Sequence, residues 1–321
     1  MIVTVTLNPS LDRTVEVDAL VRGAVLRARG THLHPGGKGV NVTRALLANG
    51  VPSRAVLPVG GPTGAELVDL LRGDGVDHVV VPVRGRTRSN VAVAEPDGTV
   101  TKLNEPGPEL DRAALDEVLA TALRSSGPGD WVVLCGSLPP GAPDTHYADL
   151  VRDLAAAGRR VAVDTSGPAL VHAVAAGPDL VKPNLDELSV AVCRTLESRA
   201  DAVDAAHELT AAGAARVLVS LGADGGLLVD DDAVLVGRCV PVDARSTVGA
   251  GDAFLAGYLA ATTAHDVGAG AALRTALAWG AAAVRLPGSQ MPGSADVRLD
   301  DALLVTDAAA LRMHDPLVGA G

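Results

Sequence analysis

Apolar runs of strand length recur along the chain at Ile2–Leu7, Ala55–Val59, His78–Val83, Trp131–Cys135, Arg160–Asp164, Leu180–Lys182 and Arg216–Ser220. Between several of them the apolar positions switch to a helical period, over Val40–Asn49, Gly64–Arg72, Ala113–Arg124, His146–Ala157 and Ala202–Ala212. Near-continuous apolar strands have no polar face to give to water, so they need cover on both sides. Helices between consecutive strands supply that cover and the crossovers of a parallel sheet. The pattern predicts an α/β fold: a doubly wound, mostly parallel sheet with helices on both faces. Residues 12–35 and 88–104 break the alternation. They read as short strands with turns, Glu95-Pro-Asp-Gly98 being a hairpin signal, and predict a small separate β-sheet that forms a lid over a cleft. No repeat or linker divides residues 1–321, which are expected to form one domain. The tail after about residue 306 reads as a peripheral helix.

Composition narrows the picture. Of the 321 residues, 48% are hydrophobic but only 2% aromatic, so Ala, Val and Leu must build the core. The formal net charge of −11 argues against nucleic-acid or anionic-membrane partners, and an anionic substrate would need a local concentration of positive charge. Cys135, Cys193 and Cys239 are odd in number, far apart and without metal-ligand spacing, as expected in the reducing cytoplasm. Met1–Leu7 has no basic region before it and reads as a strand, not a signal peptide. No apolar stretch reaches the roughly 20 residues of a membrane span; runs such as Ala260–Ala264 and Ala281–Val284 read as small-residue helix surface. Only three of the 27 basic residues are lysines, Lys38, Lys102 and Lys182. Lysines that survive such near-complete replacement by arginine call for a reason.

The strongest chemical signal is Ser246-Thr-Val-Gly-Ala-Gly-Asp-Ala-Phe254 ahead of a helix over Leu255–Thr263. Gly249, Ala250 and Gly251 can turn their amides toward one point, and a helix N-terminus adds further donors, making an anion hole. Asp252, just inside that turn, is placed to act as a base. The turn lacks the Gly-Lys-Ser/Thr of a P-loop and the glycine spacing of a dinucleotide fingerprint. A second turn, Pro35-Gly-Gly-Lys-Gly-Val-Asn-Val42, offers close backbone approach at Gly36 and Gly37, charge at Lys38 and a hydroxyl partner at Asn41. Asp12, in Thr6-Leu-Asn-Pro-Ser-Leu-Asp12, leaves the first strand at the carboxyl end of the sheet, where α/β folds bind ligands. In Gly85-Arg-Thr-Arg-Ser-Asn-Val91, Arg86 and Arg88 are expected on one face of a strand, and arginine suits phosphate. In Val181-Lys-Pro-Asn-Leu-Asp-Glu187, Asn184 and Glu187 share a helix face and are expected to hold water around a Mg²⁺ bound to phosphates. Ser220-Leu-Gly-Ala-Asp-Gly-Gly226 ends a strand in a turn that can approach a nucleotide, and Ser137 follows a buried strand. Each signal also has an ordinary reading. Asp252 and Glu187 would serve as helix caps, Lys38 and the arginines as solvated charges, Asp12 and Ser137 as turn residues, and 220–226 as a hairpin turn.

Taken together and in this order, these motifs resemble the PfkB (ribokinase-like) carbohydrate kinase family over roughly residues 4–290. Gly249-Ala-Gly-Asp252 looks like its C-terminal signature, Gly36-Gly-Lys-Gly39 with Asn41 like its N-terminal one, and Lys182-Pro-Asn-x-x-Glu187 lies between. Thr6-Leu-Asn-Pro9 with Asp12 resembles the phosphosugar branch. The resemblance implies a ribokinase-like fold and ATP-dependent phosphorylation of fructose 1-phosphate at its C6 hydroxyl. Tagatose 6-phosphate and fructose 6-phosphate are the alternative acceptors, and a catalytically silent sugar-phosphate sensor is the reading of another class. It further implies Asp252 as catalytic base and Gly249–Gly251 as anion hole. Asp12, Gly36, Gly37 and Asn41 would hold sugar hydroxyls, and Lys38, Arg88, Arg27 and Ser137 the sugar phosphate or adjacent hydroxyls. Lys182, Asn184, Glu187, Ser220, Gly222 and Gly225 would serve ATP and Mg²⁺, and the lid would mediate a homodimer. Two departures stand out. Ser246 occupies a position where many members carry a cation-ligating aspartate, so potassium activation is not expected. Ala253 follows Asp252 where serine is common in the fructose-1-phosphate kinases.

Overall fold

The computed structural model describes residues 1–240, 244–263 and 267–305; the expected tail helix after residue 306 lies outside them. The chain opens with β1 (Ile2–Thr6), leaves it for the lid strands β2 (Ser10–Glu16) and β3 (Gly30–Gly36), and returns through α1 (Lys38–Ala48) to β4 (Ser53–Val59). α2 (Gly61–Gly73) and β5 (His78–Pro82) follow, then the second lid pair, β6 (Arg88–Ala94) and β7 (Val100–Asn104). Strand and helix next alternate through α3 (Arg112–Ser125), β8 (Trp131–Cys135), α4 (His146–Ala156), β9 (Arg160–Asp164), α5 (Gly167–Ala175), β10 (Leu180–Val181), α6 (Leu185–Ala191), α7 (Arg199–Ala211) and β11 (Arg216–Ser220). The last described elements are β12 (Gly226–Asp230), β13 (Val234–Cys239), α8 (Ala250–Thr263), α9 (Ala269–Val284) and β14 (Ala302–Val305).

Among the described residues the main sheet runs β14-β13-β12-β11-β10-β9-β8-β1-β4-β5 and the lid β3-β2-β6-β7. The main sheet is parallel from β11 to β5. β12, β13 and β14 extend it antiparallel, the turn at 220–226 making the hairpin from β11 to β12. Alternate strand residues enter opposite apolar layers: Val3, Val5, Val132, Leu134, Val161 and Val163 pack with α3 to α7, whereas Ile2, Trp131, Val133, Ala162 and Leu218 pack with α1, α8 and α9. That two-sided burial is why these strands read as unbroken apolar runs.

Small residues do more than cover surface. A Cβ on Gly257 of α8 would lie 2.9 Å from the Thr275 carbonyl oxygen and from the Trp279 ring of α9, so the two helices meet closely along it. Ala282 and Ala283, read from the sequence as helix surface, are buried in that layer. With so few aromatics, close helix approach replaces bulk as the means of filling the core. In the lid, β2 pairs antiparallel with β3 and parallel with β6, and β6 with β7 is the hairpin announced by Glu95-Pro-Asp-Gly98. Residues 17–29 connect β2 to β3 outside both strands, so the lid strands occupy only the ends of the expected 12–35 segment.

Candidate active site

Neighbouring parallel strands deliver the candidate residues to one edge of the main sheet. β1 leads through Pro9 to Asp12 on β2, Ser137 lies just beyond β8, Asp164 ends β9, Lys182 follows β10 and Ser220 ends β11. This is the carboxyl edge, where open α/β sheets place ligands.

The two glycine-rich turns meet above that edge. Gly37 is the residue ahead of α1, and Gly249, at φ 80, turns the chain into α8. A side chain at Gly249 would be strained by that left-handed backbone and would strike the Met291 methyl. Asn41, in the first turn of α1, donates its Nδ2 proton to Asp252 Oδ2 at 2.8 Å, joining turns 211 residues apart. Both side chains are buried. Burial, followed by the nearby Asp164 charge, raises the Asp252 carboxyl to about 6, against the opposing pull of the Asn41 hydrogen bond, Lys38 and Lys182. A carboxylate tuned upward and beside a helix N-terminus is suited to accept a proton near neutral pH.

Behind Asp252 lies a cluster of charges. Asp164, fully buried, meets Lys38 Nζ at 2.8 Å and Lys182 Nζ at 3.4 Å, and Lys38 also reaches Glu187 Oε1 at 3.0 Å. Burial pushes the Asp164 carboxyl up, but the Lys182 and Lys38 charges outweigh it and hold the group below its ordinary value. Burial opposes the charge on Lys38, and Asp164 and Glu187 overcome it to raise that ammonium. Lys182 Nζ is also the nearest group to the Cβ position of Gly251, at 3.6 Å, so the ammonium stands beside the backbone of the Gly249–Gly251 turn. Two of the chain's three lysines therefore converge on one carboxylate.

Beyond β10 the capping reading of Glu187 holds, with Asn184 as its partner. Asn184 Oδ1 accepts the Glu187 N–H at 2.8 Å, and Glu187 Oε2 accepts the Asn184 N–H at 2.9 Å. Glu187 still turns its other oxygen to Lys38. Asn184 bridges Ser220, and the turn that follows carries Gly222 at φ 61 and Gly225 at φ 96. No group of three or more His, Cys, Asp or Glu is arranged as a metal cage among the described residues. Glu187 is a hard oxygen donor suited to an ion that keeps most of its water.

The lid supplies the other wall. Cross-strand register puts His34, Asp12, Asn90 and Asn104 in one row on one face. Asp12 Oδ1 accepts from Ser10 Oγ at 2.7 Å and from Asn90 Nδ2 at 3.0 Å, which fixes the carboxylate. Its side chain fills the space a Cβ on Gly36 would need. Arg88 donates to the Asn8 and Glu105 carbonyls, and Ser137 Oγ lies 3.4 Å from Asn8 Nδ2.

One expectation changes. Arg86 does not share a face with Arg88: it precedes β6 and donates to Thr63 Oγ1 at 2.6 Å, at the start of α2. Lys38 pairs with Asp164 and Glu187 and keeps part of its side chain exposed. Arg27 is exposed in the β2–β3 connection, and among the described residues no hydrogen bond or ion pair ties it to the cluster. Sequence reading passed over Asp164 and Asn90. A carboxylate closing the buried apolar run Val161–Val163 was the signal for the first. The i, i+2 relation to Arg88 was the signal for the second.

Comparison with known proteins places this arrangement. The family model described as pfkB family carbohydrate kinase matches residues 5–295. The chain is 41% identical over 285 residues to a 1-phosphofructokinase of Rhodobacter capsulatus, covering 87% of this chain and 90% of that one. It is 40% identical over 298 residues to a 1-phosphofructokinase of Haloferax volcanii, covering 92% and 95%. The crystal structure of Escherichia coli phosphofructokinase-2 in complex with potassium superposes with a TM-score of 0.87 at 34% identity, over 92% of this chain and 96% of that one.

Proposed function

Because the chain belongs to the pfkB family of carbohydrate kinases, we propose that the cleft carries the γ-phosphoryl group of ATP to the C6 hydroxyl of fructose 1-phosphate, giving fructose 1,6-bisphosphate and ADP. The observation that carries the reading is the 2.8 Å bond from Asn41 to Asp252: it sets the base of one turn against the sugar-binding wall of the other. The oxygen–phosphorus bond to C6 forms as the bond to the departing ADP oxygen breaks. Asp252 takes the hydroxyl proton, and the protein otherwise contributes position and charge.

Each wall has its part. Asp12, Gly36, Gly37 and Asn41 hold the sugar hydroxyls, and Arg88 and Ser137 the 1-phosphate. The amides of Gly249, Ala250 and Gly251, with Lys182 beside them, stabilise charge on the transferring group, and Lys38 screens it from Asp164 and Glu187. Ser220, Gly222 and Gly225 border the nucleotide. Mg²⁺, when bound, neutralises phosphate charge; Glu187, with Asn184 holding it in place, would reach the ion through water. Among the described residues no helix is long and apolar enough to cross a membrane, and the chain works as one cytoplasmic kinase unit. Two copies associate through the lid, where β7 is exposed along its length and carries Val100 and Leu103.

An initial-rate panel with MgATP tests the acceptor. Fructose 1-phosphate is expected to give the highest kcat/KM, ahead of fructose 6-phosphate and tagatose 6-phosphate; a higher value for either 6-phosphate overturns the assignment. Arg88→Ala should raise the KM for the sugar phosphate about 10- to 100-fold, the loss of a charged hydrogen bond, and change that for ATP little. Equal effects on both would remove Arg88 from the phosphate site. The pH profile follows from Asp252. The base must be ionised, so kcat/KM should fall tenfold per pH unit below about 6 and level off above it.

A further inference from the structure

The chain crosses between core and lid at several places, and one side chain gathers three of the segments involved. Asn8, buried, lies where the chain leaves β1 for the lid. Its Nδ2 is 3.0 Å from the carbonyl of Pro106, on the segment returning from β7, and 3.4–3.5 Å from Ser137 Oγ and the Leu138 carbonyl, beyond β8. Its own carbonyl accepts from Arg88 Nε at 3.1 Å, at the first residue of β6. Arg88 is held from its far side by the Glu105 carbonyl, next to Pro106, and Glu105 in turn accepts the Ser89 N–H at 2.8 Å. The return segment is shaped to this contact. Gly107 has φ 93, and a Cβ there would overlap Asn8 Oδ1.

We infer that Asn8 is a positioning residue for sugar-phosphate recognition, a latch at the base of the lid that fixes the Arg88 guanidinium relative to Ser137. The inference rests on the reading of Arg88 as the phosphate contact. Without the Asn8 amide, the two carbonyls that aim Arg88 belong to segments no longer tied to the β8 exit. Arg88 keeps its charge but loses its fixed direction. Asn8 touches neither the nucleotide turn nor Asp252, so its influence falls on one substrate.

A double-mutant cycle tests this. Asn8→Ala should raise the KM for fructose 1-phosphate about 3- to 10-fold, the weight of one or two hydrogen bonds, and leave the KM for ATP unchanged. In the Arg88→Ala background the same substitution should add clearly less than it does alone, since only the contact to Ser137 is left to disturb. Asn8→Ser, which keeps a hydroxyl too short to span the three acceptors, should behave like the alanine variant, and supplies the reading if alanine does not fold. Multiplying effects in the double variant, or equal rises in both KM values, would overturn the latch and leave Asn8 a stability residue. If Arg88→Ala alone spares the sugar-phosphate KM, the phosphate reading fails and the latch with it. If Arg88→Ala acts selectively and Asn8→Ala does not, only the latch fails.

Discussion

Asp252→Asn is expected to lower kcat by about 10²- to 10⁴-fold, the range for removal of a general base, with ATP binding largely intact. Asparagine keeps the shape and can still accept the Asn41 hydrogen bond, so the loss would be chemical. Wild-type-like turnover would defeat the base assignment. The same variant should be more stable than the parent. The folded carboxyl is raised from 3.8 to about 6, so between those values the native state binds more protons than the unfolded chain, and stability falls as pH rises through the window. Above pH 6 the ionised group imposes its full penalty, which asparagine does not carry. Thermal denaturation at pH 7.5 should show a midpoint higher by a few degrees for the variant, with the gain fading toward pH 4. A lower midpoint at pH 7.5 would mean that the charge is well compensated and the raised carboxyl is not real.

Removal of the Asp164 carboxylate should produce the largest stability loss. Asp164→Ala leaves Lys182, of which only 3% of the side chain is exposed, as an unpaired buried ammonium, and breaking a buried pair in this way costs about 3–5 kcal/mol. Lys38 is one-third exposed and can turn toward water, so the cost falls chiefly on Lys182. Urea unfolding measures it, and a variant as stable as the parent would show that the cluster relaxes freely. Because Asp164 is held below its ordinary value, its stabilisation is present above pH 3.8 and is lost as the pH falls through its lowered folded value. The milder Asp164→Asn has a kinetic consequence. It removes the negative charge that helps to raise Asp252 and frees the two lysine charges that lower it. The acid limb of kcat/KM should therefore move below pH 6. A substrate phosphate, whose second ionisation is also near 6, would not respond to this substitution, so an unmoved limb would assign the titration to the substrate.

The local pattern of the chain determined much of this protein. Apolar runs with no polar face could only be strands buried on both sides, which set the parallel sheet and its two helical layers. The alternation broke at the segments that became the lid. Glycine-rich turns ahead of helices marked Asp252, Asn41 and the anion hole, because backbone freedom and helix termini are properties of adjacent residues. Scarcity singled out Lys38 and Lys182. What the sequence left open was direction and partnership across space. Arg86 and Arg88 looked equivalent until the start of β6 separated them. Asn184 and Glu187 proved to cap each other while Glu187 also held Lys38. Asp164, a carboxylate at a strand end, gained a functional meaning only when two lysines from distant segments closed on it. Hydrogen bonds and ion pairs reach only a few ångströms, and strand order alone decides which distant residues come that close. The meeting of the two turns at Asn41 and Asp252, on which the proposed chemistry depends, was therefore settled by the tertiary fold.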